Sequence, residues 1–434
     1  MNTSQKKKVA FVTLGCKVNT YEAEAIAANL EQANFECISG LQKADIYVLS
    51  TCAVTNEGER KSRGQIAKIL KLNPNAEIYV CGCASEHNAQ QFLKFPNVKY
   101  VVGTNNKLKI ADIITGKIKP DDRSSKEEEA AYNDSYKSKH TRARAVIKIQ
   151  DGCNNFCTYC LIPYLRGRER SRSLSSILFE IENLEKTTKE IVITGINVSA
   201  YGKDFKNQNT SLVDVVKLFS GRSVKFRFSS LEVRVITNEL LLELAKLPNF
   251  QPHFHLSMQS ACNETLSKMN RKYTIEEYTN KVNLIRSYFP DAGITTDVIV
   301  GFPTETAEHF ETTLENCKKI GFCWMHVFPY SKRDGTVAAG MNPVASGEEV
   351  RERAKRLGCL AEEMRDDFTR KMIGSVQDVI VEQEKDGFFV GHSGNFVKCY
   401  IKSKTKLEPN EVVKVEIKDV HKDGAIAVLW TPPK

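Results

Sequence analysis

The stretch Ala145–Cys160, AVIKIQDGCNNFCTYC, runs a β-branched segment straight into a loop that carries Cys153, Cys157 and Cys160 in a C-x-x-x-C-x-x-C spacing. Such a run fits a buried parallel strand, and the carboxyl end of a barrel strand is where the active sites of parallel barrels collect. Working outward toward the C-terminus, the same kind of strand returns as EIVITG (190–195), VKFRFSS (224–230), HFHLS (253–257), GITTDVIVG (293–301) and CWMHVF (323–328), with helical segments between. Six strand–helix units up to Tyr330 close most naturally as a partial or full parallel (β/α) barrel. Residues Gly347 to Lys371 then read as an amphipathic packing helix.

Working outward toward the N-terminus, residues 117–144 are charged, Ser-rich and nearly free of large apolar side chains, which reads as a linker over 118–140. Before it, Val9 to Ile114 alternate VAFVTL, IYVLS, EIYVC and VKYVVG with helical patterns. That alternation predicts a flavodoxin-like parallel sheet covered on both faces. After Gly374 the pattern changes to five short strands with Gly, Asn and Asp turns, which predicts a small antiparallel β-barrel. Such barrels bind oligonucleotides on one face or serve as accessory folding or dimerisation units. The expected order is therefore an α/β domain at 1–117, the linker at 118–140, the barrel at 141–373 and the small β-barrel at 374–434.

The chain has 434 residues, 41% hydrophobic and 26% charged, which suits roughly three domains at about 150 residues each. No apolar run approaches the ~18 residues of a membrane span, so no membrane partner is expected. The start, MNTSQKKKVAFVTLGC, has a basic patch but no signal-peptide core, and the expected location is the cytoplasm. Thirteen cysteines in a compartment that keeps thiols reduced point to metal or catalysis, not to a disulfide framework. Net charge is +9, and from His140 to Arg172 seven basic residues face two acidic ones. From Gly374 onward nine Lys balance nine Asp and Glu, so the excess sits beside the cysteine loop. An anionic partner is implied there.

Three thiolates on a four-iron cubane leave one iron without a protein ligand. A closed electron-transfer cluster would need a fourth Cys, and structural zinc two paired ligand sets; neither lies nearby. The open iron suits chelation of S-adenosylmethionine, whose sulfonium one electron then cleaves, so Cys153, Cys157 and Cys160 are the catalytic and metal-binding candidates. Tyr159 is placed for an adenine contact. Gly195, Asn197, Glu232, Gln259 and Asp297 sit at or just beyond strand ends and are candidates for the rest of the cofactor, each with a purely structural alternative. A second group, Cys16, Cys52 and either Cys81 or Cys83, follows the strands of the first sheet and meets at its carboxyl edge, where doubly wound folds bind ligands. That set is either a second cluster or a group of inert cysteines. Cys83, in the loop, is better placed than Cys81. The remaining cysteines read as core hydrophobes. Arg166, Arg168, Arg170 and Arg172 alternate in RGRERSR, as either a solvated face or a strip for nucleic-acid phosphates.

The motifs TLGCKVNTYEAE at Cys16, STCAVT at Cys52, CGCASE at Cys83, QDGCNNFCTYCLIPYLRGRERSR, TTDVIVGFPTET and HVFPYSKRDGT together resemble the radical S-adenosylmethionine methylthiotransferases from end to end. The resemblance implies a TRAM-type C-terminal barrel, and two [4Fe–4S] clusters, the auxiliary one on Cys16, Cys52 and Cys83. It also implies use of two molecules of S-adenosylmethionine, one to methylate a sulfur of the auxiliary cluster and one to make a 5′-deoxyadenosyl radical. The expected partners are tRNA and a reducing electron-donor protein. The GCKVN-x-x-E form and HVFPYSKRDGT are similar to the branch that adds a methylthio group to C2 of N6-threonylcarbamoyladenosine at tRNA position 37. The alternatives are isopentenyladenosine 37, a ribosomal-protein aspartate, or a non-catalytic iron–sulfur RNA-binding sensor. Two departures, Ser257-Met258-Gln259-Ser260-Ala261 for the family's P-L-Q-S-G and Val233 for a Pro after Glu232, bear on the cofactor contacts of Gln259 and Glu232.

Overall fold

The structure, a computed structural model, describes residues 6–120, 122–125, 143–206 and 209–432. The chain forms two compact units, each assembled from separate segments. One gathers Met1–His140, Lys148–Ser176 and Ser331–Ala339; the other gathers Thr141–Ile147, Ile177–Tyr330 and Gly340–Lys434.

In the first unit the expected alternation is present: β1 (Lys8–Thr13), α1 (Lys17–Gln32), β2 (Glu36–Ser39), β3 (Ile46–Thr51), α2 (Asn56–Leu72), β4 (Glu77–Gly82), α3 (Cys83–His87), β5 (Val98–Val102) and β6 (Ser124–Ser125). The sheet order is β2-β1-β3-β4-β5-β6 and every pairing is parallel, the flavodoxin-like arrangement. Apolar side chains cover both faces, Leu49, Ile66, Ile69 and Phe92 on one and Ile26, Leu30, Val48 and Tyr100 on the other. Each fully buried side chain of this kind contributes roughly 1.5–3 kcal/mol, so the sheet is fixed by its two cores and not by strand propensity. Of the expected linker, residues 118–120 and 122–125 are described and Ser124–Ser125 pair with Val101 and Val102; the remainder lies outside the described residues.

Strand β7 (Arg144–Asp151) begins in the second unit and ends in the first. Its last residues, Gln150 and Asp151, pair antiparallel with Ser171 and Arg170 of β8 (Arg170–Ser171). In the second unit follow β9 (Glu190–Gly195), β10 (Lys225–Phe228), β11 (Ser230–Leu231), β12 (His253–Leu256), β13 (Gly293–Val300) and β14 (Trp324–Pro329), parallel wherever they pair. They form an open run of barrel strands, interrupted between β10 and β11. The helix Ile275–Tyr288 starts on a capping box of Thr274 and Glu277 and buries Tyr278, whose hydroxyl donates to the Leu256 carbonyl at 2.9 Å. The opposite face of β12 and β13 carries His253, His255, Thr295 and Asp297.

The last five strands, β15 (Val376–Lys385), β16 (Phe388–Ser393), β17 (Lys398–Lys402), β18 (Val412–His421) and β19 (Gly424–Leu429), close a barrel in the order β15-β16-β17-β19-β18. All pairings are antiparallel except that of β17 with β19. This barrel is fastened inside its unit by Arg144 on Glu382 at 2.6 Å and by Phe396, whose ring stacks on His253 at 4.4 Å. No helix among the described residues is long and apolar enough to cross a membrane.

Candidate iron–sulfur centres

Gly15 and Gly82 bring the first three cysteines together. Both have left-handed backbones, with φ of 104° and 111°; a Cβ on Gly15 would lie 3.2 Å from the Cys52 Cβ, and one on Gly82 would lie 2.5 Å from the Thr51 carbonyl oxygen. The carboxyl ends of β1, β3 and β4 therefore meet at the edge of a doubly wound sheet, and Cys83, expected in a loop, instead opens helix α3. Cys16 is exposed, Cys52 half-buried and Cys83 buried. Burial pushes the Cys52 thiol up, and the neighbouring Cys83 and Cys16 push it the same way. Cys81 belongs elsewhere: it packs in the opposite core, 3.5 Å from the Ser50 hydroxyl, and burial raises its thiol. The turn at Gly82 is what sends Cys81 and Cys83 to opposite faces of the sheet. Three convergent soft donors fit an iron–sulfur cluster.

The loop of Cys153, Cys157 and Cys160 lies in the same unit. It is held by the Cys153 amide donating to the Gly167 carbonyl at 3.1 Å and by the Cys160 amide donating to the Cys157 carbonyl at 3.0 Å. The Ile162 amide donates to the Cys160 sulfur at 3.4 Å, an interaction that favours thiolate. All three cysteines, and Tyr159 between them, are half-buried. Gly152 is required here, because its φ is 70° and a Cβ would lie 1.8 Å from the Arg168 carbonyl oxygen.

Between the two cysteine sets lies a buried ion cluster that sequence reading missed. Glu22 accepts from Lys148 at 2.8 Å, from Arg166 at 2.7 Å and from Lys107. Asp151, two residues before Cys153, accepts from Lys148 at 2.5 Å and from Arg166 at 3.3 Å. Asn19 completes it, accepting from Arg166 at 2.9 Å while donating to the Leu14 and Thr51 carbonyls at 2.8 and 3.0 Å. Burial alone would raise the Glu22 carboxyl, but Arg166, Lys107 and Lys148 together hold it well below the usual carboxylate range. Its members in quoted motifs, Asn19 and Glu22 in GCKVN-x-x-E and Asp151 and Arg166 in QDGC…LRGRERSR, carried no signal that they would meet.

That cluster corrects part of the arginine strip. Arg166 and Arg172 are 1% and 2% exposed, Arg166 on Glu22 and Arg172 on the Tyr21 hydroxyl at 3.2 Å and the Ser176 hydroxyl at 2.9 Å, so neither presents its charge to phosphate. Pairing of β8 with the end of β7 folds the strip back onto the sheet and turns these two inward. Arg170 is half-buried beside Asp151 at 3.8 Å, and Arg168 is exposed, its guanidinium 4.7 Å from the Phe156 ring centroid.

Within the second unit, four of the expected cofactor residues sit at or beyond carboxyl strand ends, Gly195 closing β9, Asn197 and Glu232 following β9 and β11, and Gln259 following β12, whereas Asp297, expected at a strand end, lies inside β13 opposite His326. Gln259 is left-handed (φ 74°), and its backbone exchanges hydrogen bonds with β13, donating to the Asp297 carbonyl at 2.8 Å and accepting from Ile299 at 2.9 Å. Glu232 is buried beside Arg234 at 3.4 Å, and its amide donates to the Ser199 hydroxyl. Val233 is accommodated by a short 3-10 turn, so loss of the expected proline leaves the strand end in place. His255 reaches the Asp297 carboxylate at 3.1 Å and had no sequence signal beyond its neighbours. Arg333, in the quoted HVFPYSKRDGT motif but given no role from sequence, returns to the first unit and pairs with Glu59 of α2 at 2.6 Å.

Residues 147–317 match the model of the radical SAM superfamily, and residues 8–103 match uncharacterized protein family UPF0004. The chain is 37% identical over 421 residues to the threonylcarbamoyladenosine tRNA methylthiotransferase MtaB of Bacillus subtilis (strain 168), which covers 94% of this chain and 93% of that protein. It is 36% identical over 390 residues to the enzyme of the same name from Aquifex aeolicus, covering 87% and 93%. It is 32% identical over 424 residues to the tRNA-2-methylthio-N(6)-dimethylallyladenosine synthase of Thermodesulfovibrio yellowstonii, covering 96% and 97%. Among solved structures, the cobalamin-dependent S-adenosylmethionine radical enzyme OxsB matches with a TM-score of 0.52 at 12% identity, over 84% of this chain and 56% of that one, a likeness of fold alone. With both cysteine sets convergent and relatives aligned nearly end to end, the chain belongs to the radical SAM tRNA methylthiotransferases, enzymes that work with two [4Fe–4S] clusters and S-adenosylmethionine.

Proposed function

We propose that this enzyme adds a methylthio group to C2 of N6-threonylcarbamoyladenosine at position 37 of tRNA, beside the anticodon. The observation that carries the methylthio reading is the presence of two three-cysteine sets in one compact unit, joined by a buried ion cluster. The choice of nucleoside rests on Lys17-Val18-Asn19 after Cys16 and on the names of the relatives at 37% and 36% identity. Cys153, Cys157 and Cys160 hold the cluster whose open iron supplies reductive cleavage of S-adenosylmethionine, and Cys16, Cys52 and Cys83 hold the auxiliary one. Tyr159, Gly195, Asn197, Glu232, Gln259 and Asp297 bind and orient the cofactor from strand ends and the cysteine loop, where backbone groups approach closely. Arg168 takes a tRNA phosphate, and the β-barrel of 374–434 adds a neutral, shape-reading surface. The α/β segment 1–117 and the barrel segment 141–373 divide the two centres between them, with 118–140 as their linker. Electrons come from a reducing donor protein in the cytoplasm.

The test is mass spectrometry of tRNA nucleosides from cells that lack the gene. The 2-methylthio form of N6-threonylcarbamoyladenosine should disappear while its unmodified precursor accumulates. Loss of 2-methylthio-isopentenyladenosine instead would move the enzyme to the other adenosine branch, and unchanged tRNA would overturn a tRNA substrate.

A further inference from the structure

The buried ion cluster has more positive charge than its own carboxylates neutralise. Among the described residues, Lys148 has Asp151 as a partner, which leaves Lys107 and Arg166, both without access to water, to share Glu22. All three cations converge on Glu22, whose side chain is 1% exposed. An unbalanced buried charge of this kind is costly unless a further anion stands close. The candidate anion is the cysteine set of the first sheet: Asn19 accepts from Lys107 at 3.4 Å and from Arg166 at 2.9 Å, and its amide holds the Leu14 and Thr51 carbonyls that lead into Cys16 and Cys52. In addition the Arg166 Nε is buried and has no hydrogen-bond partner among the described residues. A cluster ligated by three thiolates is net anionic and becomes more so on reduction, and charge and hydrogen bonding around an iron–sulfur centre set its potential.

We propose that Lys107 and Arg166, clamped on Glu22, are the built-in counter-charge of the auxiliary cluster, raising its reduction potential and tying its loops to the radical-cluster loop through Asp151. They are positioning residues, since they act on the centre through space and through Asn19, which braces the carbonyls of Leu14 and Thr51, ahead of Cys16 and Cys52. The inference requires the two-cluster assignment and is independent of which nucleoside is modified.

The experiment uses the full chain, anaerobically reconstituted, with Cys153, Cys157 and Cys160 changed to alanine so that only the auxiliary centre reports. An EPR-monitored redox titration is run on this background and on the same background with Lys107→Met or Glu22→Gln. Lys107→Met removes a positive charge and should shift the midpoint to a more negative potential, a tenfold fall in the reduced-to-oxidised ratio at fixed poise being about 59 mV for one electron. Glu22→Gln removes a negative charge and should shift it the opposite way, and Lys107→Arg should restore the parent value. Opposite signs cannot come from loosened packing. Shifts of the same sign, or unchanged potentials at full iron content, overturn the proposal. Loss of the auxiliary iron from both variants in protein that remains folded assigns the network to assembly alone and overturns it as well.

Discussion

Arg168 and Arg172 are four residues apart in one alternating run, and the fold gives them opposite fates. Arg168 lies at the surface over Phe156, while Arg172 is walled in by Tyr21 and Ser176. From sequence the run looked uniformly available, because alternation says which residues share a face but not which face the neighbouring strand will cover. The cysteines were legible for the contrary reason: the three in C-x-x-x-C-x-x-C are close in sequence, so local spacing alone defines the site. Glu22 was not, since its partners lie 85, 126 and 144 positions away. The residue-scale expectation is that Arg168→Ala weakens tRNA binding evenly across sequences and lowers the slope of log K against log salt by about 1. Arg172→Ala should leave that slope intact and lower thermal stability. Binding isotherms at several salt concentrations, with melting curves, separate the two; equal slope changes would return Arg172 to the surface.

At the scale of elements, the strand-and-helix alternation predicted the first sheet closely, because parallel strands buried on both faces read as short β-branched runs between amphipathic helices. Three features escaped it, the first being the edge strand β2, which the sequence reading did not mark. The short β8 was hidden in a charged run, and β6 lies in a segment whose composition is that of a linker; each consists of two residues held by pairing to an existing strand end. Five of the six candidate cluster cysteines lie between elements, Cys83 opening α3, and glycines with left-handed backbones set how closely those segments approach. Gly152→Ala would drive a methyl group into the Arg168 carbonyl, and the loop must then open. The expected result is a chain that reconstitutes with about half the wild-type iron, keeping the auxiliary centre. Iron and sulfide assays test this, and a full iron complement would show that the loop tolerates the change.

At the scale of the molecule, the second unit depends on ion pairs that fasten the small barrel to the strands before it. Glu382 is the clearest: burial would raise its carboxyl, but His392 and Arg144, each at 2.6 Å, bring it down to about 2. An unfolded glutamate titrates near ~4.3, so the folded chain binds fewer protons between those values. The stability from Glu382 is therefore complete above the unfolded value and is lost as pH falls toward about 2. Denaturant midpoints measured stepwise from pH 6 to pH 3 should fall more shallowly in Glu382→Gln than in wild type. Parallel curves would mean the pair contributes nothing.

The first unit recruits Leu161 and Leu165 into its core, Lys148 and Arg166 into its ion cluster and Ser331–Ala339 onto its edge. A ribosome that has released only the α/β segment has thus made a sheet with gaps in its packing and Glu22 facing one lysine instead of three cations. The auxiliary cysteines cannot reach their finished surroundings until residue 339 has left the exit tunnel. This sets an order of structural events: the surroundings of the two cysteine sets are completed only on a nearly finished chain, and a truncated copy lacks them.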